Sequence, residues 1–227
     1  MNRGAQSGMT LLEVLLAVSL LGLLSVGMVM SIRVGIGAMG RTSAKLTANR
    51  RMAGAQRILE QQLQGLLPAV AACAGQRRPF FEGEPQSMRF VSGYSIEEAW
   101  RGRARVLEFQ VIPVDRGRGV RLVVNEHLYA GPVSLAAFCR PGSPVAVGPQ
   151  SFVLADRLES CRFVYQEPLP PPGEGGPWRA DWRIPKWPRA IRVEMTSLDD
   201  DATRLRPLTV TAAVHVNRYP VFDYGDF

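Results

Sequence analysis

Histidine and lysine are scarce in this chain, cysteine is rare, and no proline occurs before Pro68. The two histidines, His127 and His215, lie far in sequence from the three cysteines, Cys73, Cys139 and Cys161, and there is no C-x2-C pair. Zinc sites need closely spaced Cys and His ligands, so no metal is expected here. There is no G-x-S-x-G elbow, Walker A loop, strand-borne G-x-G-x-x-G or H-E-x-x-H. The usual nucleophiles, phosphate cradles and metalloprotease helices are therefore missing. The acidic run Asp199-Asp200-Asp201 does not read as a calcium loop, because consecutive side chains diverge where calcium needs ligands alternating around a turn. The sequence thus predicts no enzyme, no cofactor and no small-molecule substrate.

Lysine's scarcity leaves arginine to carry the positive charge. The net charge is +7, and only Lys45 and Lys186 are lysines. The arginines are scattered, with small clusters at Arg101-Gly102-Arg103-Ala104-Arg105 and Arg116-Gly117-Arg118. Both clusters flank a strand-like run and read as solvated loop ends rather than as phosphate contacts, so nucleic acid is not an expected partner.

The missing prolines allow one helix from about Thr10 to about Leu67. Its first part is an almost unbroken apolar run, Met9–Ile32, behind a short polar leader that ends in Ser7-Gly8. About 24 helical residues give roughly 36 Å, enough to cross a hydrocarbon core of about 30 Å. Arg3 and the lack of any acid before the run favour a cytoplasmic N-terminus. A signal peptide for cleavage after the apolar run would be shorter and closed by small residues at its far end. One carboxylate, Glu13, interrupts the run near its start, at a cost of about a few kcal/mol in hydrocarbon. Either it reaches back to the headgroups, or a cation meets it. Beyond the run, Met52, Leu59, Leu63 and Leu66 recur at helical spacing between Arg50, Arg57, Gln61 and Gln64, which predicts an amphipathic half able to cover a sheet. Glycines weaken a helix, and Gly35-Ile36-Gly37-Ala38-Met39-Gly40 is the expected place for a bend or local melting.

After Pro68 the pattern changes to strands: Met88–Val91, Ala104–Val114, Val120–Asn125, Ser151–Ala155, Cys161–Gln166, and alternating runs around Ile191–Met195 and Leu208–Val216. One-sided alternation suits a half-buried antiparallel sheet. The predicted fold class is α+β, a long N-terminal helix on a mostly antiparallel β domain. Pro168–Pro177 reads as an exposed loop. Trp178, Trp182 and Trp187 follow it. They are read as rings covering the sheet or, alternatively, as anchors of a partner surface. If the domain is exported a disulfide is allowed. Three pairings are possible, and Cys139–Cys161 is the expected one, leaving Cys73 free.

Gly8-Met9-Thr10-Leu11-Leu12-Glu13-Val14-Leu15-Leu16-Ala17 resembles the type IV prepilin signal, written G-F-T-L-x-E, with Met9 in place of phenylalanine. The resemblance implies cleavage between Gly8 and Met9 by a prepilin peptidase, methylation of Met9, and a Glu13 that neutralises the N-terminal amine of a neighbouring subunit. It also implies residues 1–8 as leader, 9–32 as membrane half-helix, 33–67 as amphipathic half-helix and 68–227 as a periplasmic β domain, anchored once in a bacterial inner membrane. Phe80-Phe81-Glu82-Gly83 with Met88-Arg89-Phe90-Val91-Ser92, and Trp182 with Trp187-Pro188-Arg189-Ala190-Ile191-Arg192-Val193, are similar to the F-x-G…L-x-F-V-S and W…L-P-x-A-I-x-V elements of J-type minor pseudopilins of the type II secretion system. That likeness implies a structural part in a pseudopilus tip with I-, K- and H-type partners, supporting secretion of folded proteins. A minor pilin of a type IV pilus, serving adhesion or DNA uptake, is the alternative.

Overall fold

The computed structural model describes residues 10–73, 76–98, 100–114, 117–139, 147–168, 175–198 and 208–215. Gly8, Met9, Asp199-Asp200-Asp201 and positions 169–174 of the proline-rich loop lie outside the described residues. The chain divides into two compact units, Met1–Ala48 and Asn49–Phe227.

The first unit is helical. Helix α1 (Leu11–Gln64) begins behind Thr10. The Thr10 carbonyl accepts the Glu13 N–H at 3.1 Å and the Val14 N–H at 3.3 Å, and its hydroxyl also accepts the Glu13 N–H at 3.4 Å. That is an N-cap, satisfying a donor the helix leaves orphaned. From Leu11 to Met39 every side chain is exposed, and the segment is long and apolar enough to cross a membrane. Its hydroxyls are satisfied internally: Ser19, Ser25 and Ser31 donate to the carbonyls of Leu16, Leu21 and Gly27 at 2.8–2.9 Å, as hydrocarbon requires. Helix α1 continues through Gly35, Gly37 and Gly40, so the chain does not melt locally there.

The second unit opens with the last turns of α1, from Asn49. Ala55, Leu59, Leu63 and Leu66 are buried at spacings of three and four and form one stripe, with Met52 packed beside it. The strands that follow are β1 (Val70–Cys73), β2 (Gln76–Pro79), β3 (Phe81–Gly83), β4 (Ser87–Ser95), β5 (Trp100–Pro113), β6 (Val120–Leu128), β7 (Phe152–Pro168), β8 (Gly175–Arg179), β9 (Ala190–Ser197) and β10 (Leu208–Ala213). Among the described residues β1 and β2 form a hairpin of their own. The rest make an antiparallel sheet in the order β10-β9-β7-β6-β5-β4-β3, with β8 against the end of β7. The helix stripe shares a core with Phe90, Phe109, Phe163, Val193 and Val210, in which Phe90 and Phe109 stack at 5.7 Å. Each such side chain contributes about 1.5–3 kcal/mol by leaving water.

Alternation along the strands sends their other residues to the opposite face. Val91 and Val106, the neighbours of Phe90 and Leu107, join Ala69, Ala71, Cys73, Phe80 and Leu135 in a second core. The β1–β2 hairpin and a 3-10 helix, Pro132–Phe138, cover it. This arrangement corrects the expected disulfide. Cys73 is bonded to Cys139, and Cys161 is a free, buried thiol. Cys161 pairs across the ladder with Met195 and points into the helix-side core, whereas Cys139 packs with the second core. A Cys139–Cys161 bond would have to cross the sheet. Burial also pushes the Cys161 thiol up to about 12, away from the reactive thiolate.

The runs expected as two strands around Ser151 and Cys161 are one 17-residue strand, β7. It bends at Arg157, whose φ is 57°, and its register with β9 shifts between Leu158 and Ser160. The β5–β6 turn is closed by the Val114 N–H donating to the Gly119 carbonyl at 3.1 Å. Gly119 has φ 93°, and a methyl group there would strike the Leu158 carbonyl oxygen.

Peptide mapping without reductant should recover Cys73 linked to Cys139, with Cys161 alkylated only after unfolding. Replacing Cys73 and Cys139 together by serine should lower the unfolding free energy in urea by roughly 2–4 kcal/mol, because a long loop is freed.

Candidate assembly site

Glu13 is the third residue of α1 and sits on an otherwise apolar surface. Thr10-Leu11-Leu12-Glu13 has capping-box spacing, and a carboxylate in the first turn favours the positive end of the helix dipole. Those terms total about 1 kcal/mol, which is less than the cost of an anion in hydrocarbon. Headgroups within reach of the carboxylate, or a cation in the same layer, would close the gap.

Residues 3–29 match the family model described as the prokaryotic N-terminal methylation motif. The chain carries a prepilin-type signal. The match spans Gly8, Met9 and Glu13, and it supports a type IV pilin-like protein, a pilin or a pseudopilin. The exposed apolar helix fits the single-pass anchor typical of prepilin-like proteins. No curated protein matches the chain.

In the β domain the remaining sequence signals prove to be packing devices. Ser92 donates to Gln62 Oε1 at 2.8 Å, and both residues are buried. Gly93 donates its N–H to the Gly65 carbonyl at 2.8 Å, and Leu67 donates to Val91 at 2.8 Å. The end of α1 is thereby stitched to β4. At Gly65 a side chain would overlap the Tyr94 ring.

Phe81-Glu82-Gly83 forms β3, the sheet edge. A methyl group at Gly83 would overlap the Tyr165 ring. Tyr165 donates its hydroxyl proton to the Glu84 carbonyl, with O···O 2.9 Å. The Trp182 N–H donates to the Gly83 carbonyl at 2.7 Å, and its indole N–H to the Lys186 carbonyl at 2.7 Å. Trp182 and Trp187 are only 2% and 6% exposed. Of the two readings, that of rings covering the sheet holds for these two tryptophans, which belong to the helix-side core, and the partner-surface alternative is corrected for them. Trp178 on β8 is half-buried, with the Arg192 guanidinium 3.9 Å above its ring.

Sequence reading missed a buried ionic cluster. Arg89 on β4 lies directly opposite Glu108 on β5. Its Nη2 is 2.6 Å from Glu108, and its Nη1 is 2.9 Å from Glu82. His127 Nε2 lies 2.9 Å from the other Glu108 oxygen, and Phe138 covers both Arg89 and His127. The signal was available: opposite charges at facing positions of paired strands stabilise a ladder. Beside the cluster is a cleft of about 410 Å³ walled by Phe80, Phe81, Met88, Trp182 and Ile184. Of the charged groups that line it, Arg78 and Arg89 are both paired with Glu82. Among the described residues no three His, Cys, Asp or Glu side chains are grouped to hold a metal.

Burial holds the Glu82 carboxyl above its ordinary value of 4.5, outweighing the attraction of Arg89 and Arg78. Folding therefore favours the protonated form, and this stability is lost as pH rises from about 4.5 through the raised value. In urea titrations across that window, Glu82→Gln should lose less stability with rising pH than the parent protein. Gly83→Ala should cost about 1–3 kcal/mol through displacement of the Tyr165 ring, and Tyr165→Phe about 1 kcal/mol through the lost hydrogen bond.

Proposed function

We propose that this protein is a J-type minor pseudopilin, a structural component of the tip complex of a type II secretion pseudopilus. The observation that carries the reading is the prepilin-type signal joined to a single exposed carboxylate, Glu13, in the first turn of an apolar helix. Cleavage after Gly8 frees the amine of Met9, and in an assembly that amine and the Glu13 of another subunit supply each other's missing charge. The work is structural, not enzymatic: the anchors bundle in a filament, and the β domain presents its surface to I-, K- and H-type partners.

The finer assignment rests on the likeness around Phe81 and Trp187. Each of those elements has a physical task in this chain. Gly83 admits the Tyr165 ring, Ser92 holds the helix end, and Trp182 binds the β3 edge. The Cys73–Cys139 bond argues for an oxidising compartment around the β domain, and so for a cytoplasmic N-terminus. Charge counting alone argues the other way, because Arg33, Arg41 and Lys45 follow the span against Arg3 before it.

Co-purification of the full chain with candidate I- and K-type subunits tests the reading. A complex is expected. A salt-sensitive DNA shift without such a complex would instead favour a DNA-uptake minor pilin. Mass spectrometry of assembled protein should find a methylated N-terminal Met9. Glu13→Ala should leave the β domain folded by circular dichroism and abolish incorporation into filaments; normal incorporation would count against the role given to Glu13.

A further inference from the structure

Strand β3 is one edge of the sheet, and its outer side is only partly covered. The Glu84 N–H donates to the Ser87 carbonyl at 2.7 Å, so Glu84 turns its main-chain groups toward β4. Those groups alternate along a strand. Glu82 therefore faces β4 as well, opposite Arg89, while the main-chain groups of Phe81 and Gly83 face away from it. The Gly83 carbonyl accepts the Trp182 N–H at 2.7 Å in an antiparallel bridge. Continued in register, that bridge would set Ile184 opposite Phe81. It does not continue: Pro185 has no N–H, and the Ile184 carbonyl accepts the Lys186 N–H at 2.8 Å. The outward N–H and carbonyl of Phe81 have no partner among the described residues, although the residue is only 6% exposed. Buried main-chain groups are nearly always paired, so a partner belongs there.

The space on that side of β3 is the cleft of about 410 Å³, whose walls include Phe81, Gly83, Trp182 and Ile184. An N–H and a carbonyl of one residue at a sheet edge are matched by the carbonyl and N–H of one residue of another extended chain. The chemistry of the gap is thus that of a peptide main chain, and apolar walls suit the side chains such a strand carries. Charge narrows the choice. Arg89 is held by Glu82 and Glu108, and Arg78 meets the same Glu82 at 3.6 Å. The Arg183 side chain is 81% exposed and meets Asp181 at 3.9 Å, a pairing that contributes little. Arg78 and Arg183 both line the cleft, and a carboxylate complements them.

We propose that this cleft is a docking site for an extended, acid-bearing segment of another protein, which adds to the sheet beside β3. One residue of the segment exchanges both hydrogen bonds with Phe81, its apolar side chains fill the cleft, and its carboxylate meets Arg78 and Arg183. The site lies wholly within the β domain, so the inference is independent of the membrane anchor and of the pseudopilin assignment.

The test pans a displayed random heptapeptide library on the full chain in detergent micelles. The most enriched peptide, synthesised with fluorescein, is then titrated by anisotropy. Enriched peptides are expected to be rich in β-branched and aromatic residues and to carry an aspartate or glutamate. N-methylation should weaken binding about fivefold or more at one residue and not at the residues on either side of it. Arg78→Ser with Arg183→Ser should weaken it about tenfold while circular dichroism stays unchanged. Binding that tolerates N-methylation at every position would overturn the strand addition. Binding that survives the arginine substitutions would overturn the acidic partner. Failure to enrich any peptide would overturn the proposal, as would self-association of the chain that excludes the peptide, which would assign the cleft to a second copy.

Discussion

Helix α1 carries two incompatible surfaces. Over Leu11–Met39 it is apolar on every side, and over its last turns it is apolar only along the Ala55–Leu59–Leu63 stripe. A helix apolar all round has no stable aqueous state, and an amphipathic one has no stable place in hydrocarbon. Each half therefore requires its own environment, and the other features follow. The β sheet exists as the cover for the stripe, and its far face then needs a cover of its own, supplied by the β1–β2 hairpin and the 3-10 helix. In the apolar half the single carboxylate is tolerable only where it reaches the headgroups or meets a cation.

The N-terminal reading was legible because hydrocarbon is an unforgiving solvent. A Glu13 inside such a run is conspicuous, and the glycine before it fixes what kind of processing to expect. The strands of β4, β5, β6, β9 and β10 were legible for a similar reason: alternation of Val, Leu and Phe with polar residues survives in one-sided sheets. β1, β2, β3 and β8 were not. They are three to five residues long, too short for a period of two to declare itself, and they form because neighbours offer edges. β7 was split in the reading because its polar middle, Asp156 to Ser160, contains a bend at Arg157 rather than a turn.

The disulfide was assigned by nearness in sequence, which treats the chain as a line. In the folded domain the deciding variable is which face of the sheet a side chain reaches, and that depends on register, which a single sequence states only weakly. The Arg89–Glu108 pair is the converse case: its partners lie 19 residues apart and become neighbours only through the β4–β5 register. Buried pairs of this kind contribute little net stability but penalise wrong registers, since a slip by one residue would bury a lone charge.

The bond between Cys73 and Cys139 encloses β2 to β6 and leaves β7 to β10 outside the ring. The two thiols are consecutive along the chain, and both are synthesised before Cys161. A protein that emerges N-terminus first can thus close its covalent ring before the third thiol arrives, and by then that thiol has no partner left to mispair with. In the folded domain Cys161 then sits in the helix-side core as an ordinary small apolar residue, on the other face of the sheet from the bonded pair.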